Sequence, residues 1–121
     1  MASGYNRIDL IGNLGKDPQV SDGGKGTLRV SFSLAVDRAR SDGSKEHREE
    51  TDWFPVIAWG RVAEMCRQSL SKGSWVFISG QLQARRWQDD KGHWHNITEV
   101  IAREVMVLDG QEEEKHECAP F

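Results

Sequence analysis

The stretch "TLRVSFSLAVDR" constrains this chain more than any other. Leu28, Val30, Phe32, Leu34 and Val36 alternate with Thr27, Arg29, Ser31, Ser33 and Ala35. Successive side chains of an extended backbone point to opposite faces, so a period of two marks a strand with one face in a core and the other toward water. A helix would spread those apolar residues around its whole circumference. The chain must therefore build a sheet, and its function is to be sought on the wet face of that sheet.

Four further segments read as strands: "YNRIDLIGNL", "ETDWFPVIAWG", "SWVFISGQLQARRW" and "HNITEVIAREVMVL". Gly80 interrupts the fourth strand, which predicts a bulge or sharp bend of the kind closed barrels use. The connectors "GNLGKDPQVSDGGKG", "RARSDGSKEHREE" and "QDDKGH" are rich in turn formers and charge. One helix is expected over "RVAEMCRQSLSKG", where Val62, Cys66 and Leu70 recur four apart and Lys72-Gly73 supplies a stop. Five strands with a single short helix between the third and fourth is the order of an all-β oligonucleotide/oligosaccharide-binding barrel with extended hairpins. Residues 1–108 would form this domain and residues 109–121 a short acidic tail.

A length of 121 residues suits one domain, and an apolar content of 37% predicts a small core under a wide polar surface. No apolar run approaches the roughly 18 residues of a membrane span. The start "MASGYNRIDLIG" lacks the pattern of a signal peptide. Cys66 and Cys118 are too few for a disulfide framework. A cytoplasmic, membrane-free protein is expected. Its net charge of −3 is unevenly spread. From Asp109 onward there are five acids and one base, net −4, which leaves 14 acids and 15 bases, net +1, in residues 1–108. Such a near-neutral body carries no basic footprint that would mark a nucleic-acid binder by charge alone.

The five tryptophans are more telling. In "TDWFPVIAWG", Trp53, Pro55, Ile57 and Trp59 share one face while Phe54, Val56 and Ala58 share the other. Both faces are apolar, so each should be covered, the outer one by a ligand or a second subunit. In "GQLQARRWQDDKGHWH", Trp87 follows two arginines on a face shared with Gln81, Gln83 and Arg85. A ring in that setting can stack on a nucleic-acid base, cap the core edge, or pack in a subunit interface. Trp94 lies across the turn from it. Trp75, beside Val76, Phe77 and Ile78, reads as core or interface. Arg7, Arg29, Arg61, Lys72, Arg85, Arg86 and Lys91 are the cations available to track phosphates.

Catalysis is not expected. Asp89-Asp90 and Glu49-Glu50 are neighbours on turns, where adjacent carboxylates seldom converge on a metal. His93 and His95 can share a strand face but have no third ligand at recognisable spacing. There is no glycine loop of the phosphate-cradling type. No cofactor and no metal are therefore assigned.

In "NRIDLIGNLGKDPQV", "VSFSLAVDR", "TDWFPVIAWGRVAEMC", "LSKGSWVFISGQLQARRWQDDKG" and "TEVIAREVMVL", taken in order, the chain resembles the bacterial single-stranded DNA-binding protein family over residues 5–108. The resemblance implies a homotetramer of such barrels that binds and protects single-stranded DNA in replication, repair and recombination. It implies stacking at Trp53, Phe54, Trp59 and Trp87, and backbone contacts at Arg7, Arg61, Lys72 and Arg86; Arg85, a cation beside Trp87, is expected to join them. A further aromatic position of some members falls at Arg40. The tail, "DGQEEEKHECAPF", has the acids and the Pro120-Phe121 ending through which family members dock replication and repair proteins, but almost no linker. The alternative within the same resemblance is a primosomal accessory protein that acts mainly through protein contacts and binds single strands weakly.

Overall fold

A computed structural model of the chain describes residues 3–22, 26–38 and 50–109. Arg40, Glu49, Cys118, Pro120 and Phe121 lie outside the described residues. The elements run β1 (Ile8–Leu14), β2 (Gln19–Asp22), β3 (Leu28–Arg38), β4 (Glu50–Trp59), α1 (Gly60–Ser69), β5 (Trp75–Gln88) and β6 (Trp94–Val107). The sheet order is β1-β5-β6-β4-β3-β2, and β1 also pairs with β3 through Asn13 and Leu14. That last pairing closes five strands into a ring, which removes free edges along most of the sheet. The expected barrel, with one helix after its third ring strand, is therefore present. The sequence reading placed β2 in a connector. Its four residues, all exposed, pair with Leu28–Ser31 and carry no buried face that periodicity could register.

The alternation in β3 does what its spacing requires. Val30, Phe32 and Leu34 point inward and meet Val56 and Ala58 of β4, Val76 and Ile78 of β5, and Val100 and Ala102 of β6. Each such side chain removed from water contributes on the order of 1.5–3 kcal/mol against the entropy of folding. Ala63, Cys66 and Leu70 of the helical segment close one end of this core. The burial pushes the Cys66 thiol up to about 11, so it is a packing group without nucleophilic character at neutral pH. The helix stops at Ser69, short of the expected Lys72-Gly73. Leu70 becomes extended, its N–H bonds the Cys66 carbonyl, and its side chain goes into the core. Gly73 then turns with φ 89° and donates to the Leu14 carbonyl at 2.9 Å.

β5 and β6 are each 14 residues long and serve two purposes. Their inner portions, Val76–Gly80 and Val100–Val107, wall the barrel. Their outer portions, from Leu82 to Gln88 and from Trp94 to Thr98, form an arm with mostly exposed side chains. The change occurs at Gly80. Ser79 pairs with Glu104 but Gly80 pairs with Ala102, so Arg103 is the extra residue of a bulge. There the strands approach so closely that a side chain on Gly80 would overlap the Ile101 carbonyl. Asn6 pins the base of the arm, its amide donating to the Leu82 carbonyl at 2.7 Å and its oxygen accepting from the Leu82 N–H at 2.9 Å. Asp109, assigned to the tail from sequence, is tied to the barrel by the Trp75 N–H at 3.2 Å.

Gly80→Ala should therefore cost about 1–3 kcal/mol, because the obstacle is backbone that cannot rotate away. Urea unfolding measures this, and a variant as stable as the parent would show that the close approach is not needed.

Candidate nucleic-acid interface

The strand register defines one outer face that runs without interruption from β3 to the arm. Arg29 lies opposite Trp59, Ser31 opposite Ile57, Ser33 opposite Pro55 and Ala35 opposite Trp53. The parallel pairing of β4 with β6 through Ile57 and Ile101 continues the face to Glu99 and Ile97, and so to Arg85 and Trp87 across the arm. A groove of about 280 Å³ sinks into it, lined by residues including Lys16, Arg29, Ser31, Pro55, Ile57 and Glu99.

Trp53 and Trp59 stand on this face, 57% and 42% exposed, while Val56 and Ala58 behind them are sealed in the core. Six residues of strand separate the two rings by about 20 Å. Both faces of β4 are apolar, as the sequence indicated, but only the inner one and Ile57 are covered by the chain itself. Trp53 lies across Gly15, where a Cβ would come within 2.5 Å of its six-membered ring. The guanidinium of Arg29 sits 5.7 Å from the centre of the Trp59 ring.

Trp87, 39% exposed, lies on the arm and outside the core cluster. His95, directly across the ribbon, stacks on it with ring centres 5.3 Å apart and planes 19° from parallel. The Arg85 guanidinium lies 4.9 Å from the ring centre. His95 is in turn bonded through Nε2 to Asp89 at 2.8 Å. Asp89 also accepts the N–H groups of Lys91 and His93, each at 2.9 Å. The His95 bond, followed by the His93 amide, holds the Asp89 carboxyl below the usual aspartate range.

The remaining expected residues are spread over several surfaces. Phe54 belongs to the inner face and packs against the core, because alternation sends it away from Trp53 and Trp59. Arg85 is committed to Glu99, donating from Nε at 3.2 Å and from Nη2 at 3.0 Å. The Glu99 side chain is almost wholly buried, so this cation neutralises a carboxylate under the face, and the bonds to Glu99 raise its own pKa. It braces Trp87 and has little charge left for a phosphate. Arg7 is paired with Asp9 at 3.4 Å and lies in a separate depression with Tyr5, Gly80 and Arg103. Arg61, at the start of α1, borders another shallow site with Met65, Arg103 and Glu104. Lys72 is joined to the groove's lining through its N–H, which bonds Asp17 at 2.7 Å. Arg86 is on the arm with its guanidinium 4.9 Å from the Trp94 ring centre.

The sequence reading gave Gly15, Lys16 and His95 no place in the site. Arg29 was legible, since alternation in β3 puts it on the wet face with Ser31 and Ser33. Gly15 and His95 were not, because each acts through a cross-strand contact. His93 and His95 share only Asp89 as an acidic neighbour, and no three His, Cys, Asp or Glu side chains among the described residues are grouped to hold a metal.

Residues 5–108 match the Single-strand binding protein family. Over 109 residues the chain is 39% identical to single-stranded DNA-binding protein 1 of Chlorobaculum tepidum, covering 89% of this chain and 67% of that protein. Among solved structures, a chain of a Plasmodium falciparum SSB complex with ssDNA superposes with a TM-score of 0.81 at 27% identity. The superposition covers 90% of this chain and 99% of that one.

Two outcomes follow from the geometry. Gly15→Val should displace the Trp53 ring and leave the fold intact, because the clash falls on the far end of a side chain. Near-ultraviolet circular dichroism should change while the melting temperature shifts by only a few degrees; an unchanged spectrum would place the ring elsewhere. The contribution of Asp89 to the tip is complete above its ordinary pKa near ~4 and is lost as pH falls through the lowered value. Amide-exchange protection at Lys91 and His93 should then fall as the pH is taken below the ordinary aspartate range, and equally in Asp89→Ala at neutral pH, with barrel amides unaffected in the variant. Retained protection in Asp89→Ala would show that the turn holds without it.

Proposed function

The chain belongs to the single-strand binding protein family, and on that premise we propose that it binds single-stranded DNA with little sequence preference through the face carrying Trp53, Trp59 and Trp87. One observation carries this reading. Three partly exposed indoles stand on one continuous face beside a groove, in a chain that leaves them uncovered. Every base has a π-face, so stacking takes up an unpaired strand whatever its sequence, at about 1–3 kcal/mol per base. A duplex hides those π-faces, which is why such a face prefers single strands.

Lys16 and Arg29 line the groove and hold the backbone, with Lys72 next to Asp17 of its lining; Arg7 and Arg61, in separate depressions, meet only a strand that continues beyond the groove. Phosphate neutralisation releases counterions and makes affinity fall with salt. Binding of this kind protects the strand and blocks reannealing during replication, repair and recombination, with no chemical step. The accessory-protein alternative is not favoured, because the aromatic face is intact.

The assembly is proposed to be a homotetramer. β3 pairs with β1 only at Asn13 and Leu14 and still closes on Gly12 through Ala35, so among the described residues Ile8–Ile11 have a strand partner on the β5 side alone. Ile11, Phe77 and Met106 align across β1, β5 and β6 as an apolar row, with Ile11 and Met106 exposed. An open edge and an apolar sheet face are two different surfaces, and a closed tetramer uses two kinds of interface. The acidic residues after 109, with Pro120 and Phe121, are proposed on sequence grounds to dock replication and repair proteins. No helix among the described residues is long and apolar enough to cross a membrane, and the proposed location is the cytoplasm, on the nucleoid.

Titrating the protein with poly(dT) at low salt should quench its tryptophan fluorescence. Trp87→Ala should weaken binding by about 1–3 kcal/mol without unfolding. Absence of quenching in the parent protein would overturn the stacking mechanism.

A further inference from the structure

The arm has two faces, and only one belongs to the site described above. Trp87 and His95 are opposite each other on the front. The next pair, Gln88 and Trp94, must point to the back, as must Arg86 two residues away. Trp94 is 60% exposed, more than any of the three front-face tryptophans. It lies under the guanidinium of Arg86, 4.9 Å from its ring centre. We propose that Trp94 and Arg86 form a second stacking site for single-stranded nucleic acid on the back of the arm, so that a strand leaving Trp87 passes around the ribbon.

The charge distribution singles out this occupant. On the front the cation of Arg85 is consumed by Glu99, and Asp89 occupies the tip. On the back no carboxylate is present among the side chains from Leu82 to Gln88 and from Trp94 to Thr98 that share the face. Arg86 is the one charged group there and makes no ion pair among the described residues. Within the paired strands of the arm the uncommitted positive charge therefore lies behind it, against its most open ring, while Asp90 and Lys91 stand together on the turn. A protein-binding patch would present a broader apolar surface. Here Trp94 is flanked by the amides of Gln88 and Asn96, whose donors and acceptors suit bases and sugar-phosphate equally. The two sides of a ribbon are about 10 Å apart including side chains, a distance that a few nucleotides span. An indole with a guanidinium over it offers a base one stacking surface and a phosphate one cation.

This inference rests on the front-face reading, and the test separates the two. Binding of oligo(dT) of increasing length is measured by anisotropy for the parent protein, Trp94→Ala and Trp94→Phe, with sedimentation to record assembly. Trp94→Ala should bind short oligonucleotides normally, bind long ones about five- to one-hundred-fold more weakly, and occlude fewer nucleotides. Trp94→Phe should recover most of the loss. In the parent protein, an oligonucleotide bearing 5-iododeoxyuridine should photocrosslink to Trp94 as well as to Trp87, which decides the matter even if Trp94→Ala does not fold. Unchanged affinity and site size in Trp94→Ala, with no adduct at residue 94, would overturn the second site while leaving the front face standing. A change in assembly mass with unaltered DNA binding would also overturn it, by assigning the ring to contact with another copy. Failure of the parent protein to bind oligo(dT) at all would instead remove the front-face reading itself.

Discussion

The approach of Gly80 to the Ile101 carbonyl is the contact on which the architecture turns. It lets two strands leave a barrel wall and continue as a ribbon without ending their pairing. Before it, Val76 and Ile78 fill the core; beyond it, every residue from Leu82 to Gln88 is exposed. A side chain there would force the strands apart where the bulge at Arg103 takes up the change of register. The arm would then lose its fixed relation to β4, and Trp87 its relation to Trp53 and Trp59. The geometry of the face thus depends on a residue with no side chain.

Charge is arranged economically in a chain whose barrel is almost neutral. Carboxylates near the face are occupied: Glu99 by Arg85, Asp17 by the Lys72 amide, Asp89 by His95 and two backbone amides. A phosphate approaching this surface meets one carboxylate paired with a guanidinium, two held by hydrogen bonds, and cations such as Arg29 and Lys16 that make no ion pair among the described residues. Local arrangement can therefore support a polyanionic partner where net charge argues neither for nor against one.

The ring of five strands and the helix were legible because each carries a periodic apolar face, Val30-Phe32-Leu34 being the clearest. β2 was not legible, since its pairing with β3 buries nothing. The three front tryptophans were grouped as a set only by the family resemblance, since strand position alone left Trp87 open between stacking, a core edge and an interface. The roles of the cations were not legible. Arg85 and Arg86 are neighbours in sequence, yet alternation sends one to a buried carboxylate and the other to an indole on the opposite side. Phe54 and Trp53 are divided in the same way between core and surface. Composition names the groups available to a site, and the pleat decides which of them meet.

If the arm binds a strand as proposed, the bracing of Trp87 gives the ring an advantage. An indole free to rotate loses rotamer entropy on stacking, which offsets part of the gain. Here His95 stacks on the ring, Asp89 fixes His95, and Glu99 fixes Arg85 beside it. The ring is held before any ligand arrives, at the expense of surface already covered, and 39% of Trp87 remains open. Trp53 is held differently, by the backbone at Gly15, and keeps 57% of its surface. Rigidity and accessibility oppose each other on such a face. On the proposed reading, spreading the stacking over several rings, each restrained in its own way, would retain affinity for a strand whose bases arrive in any order.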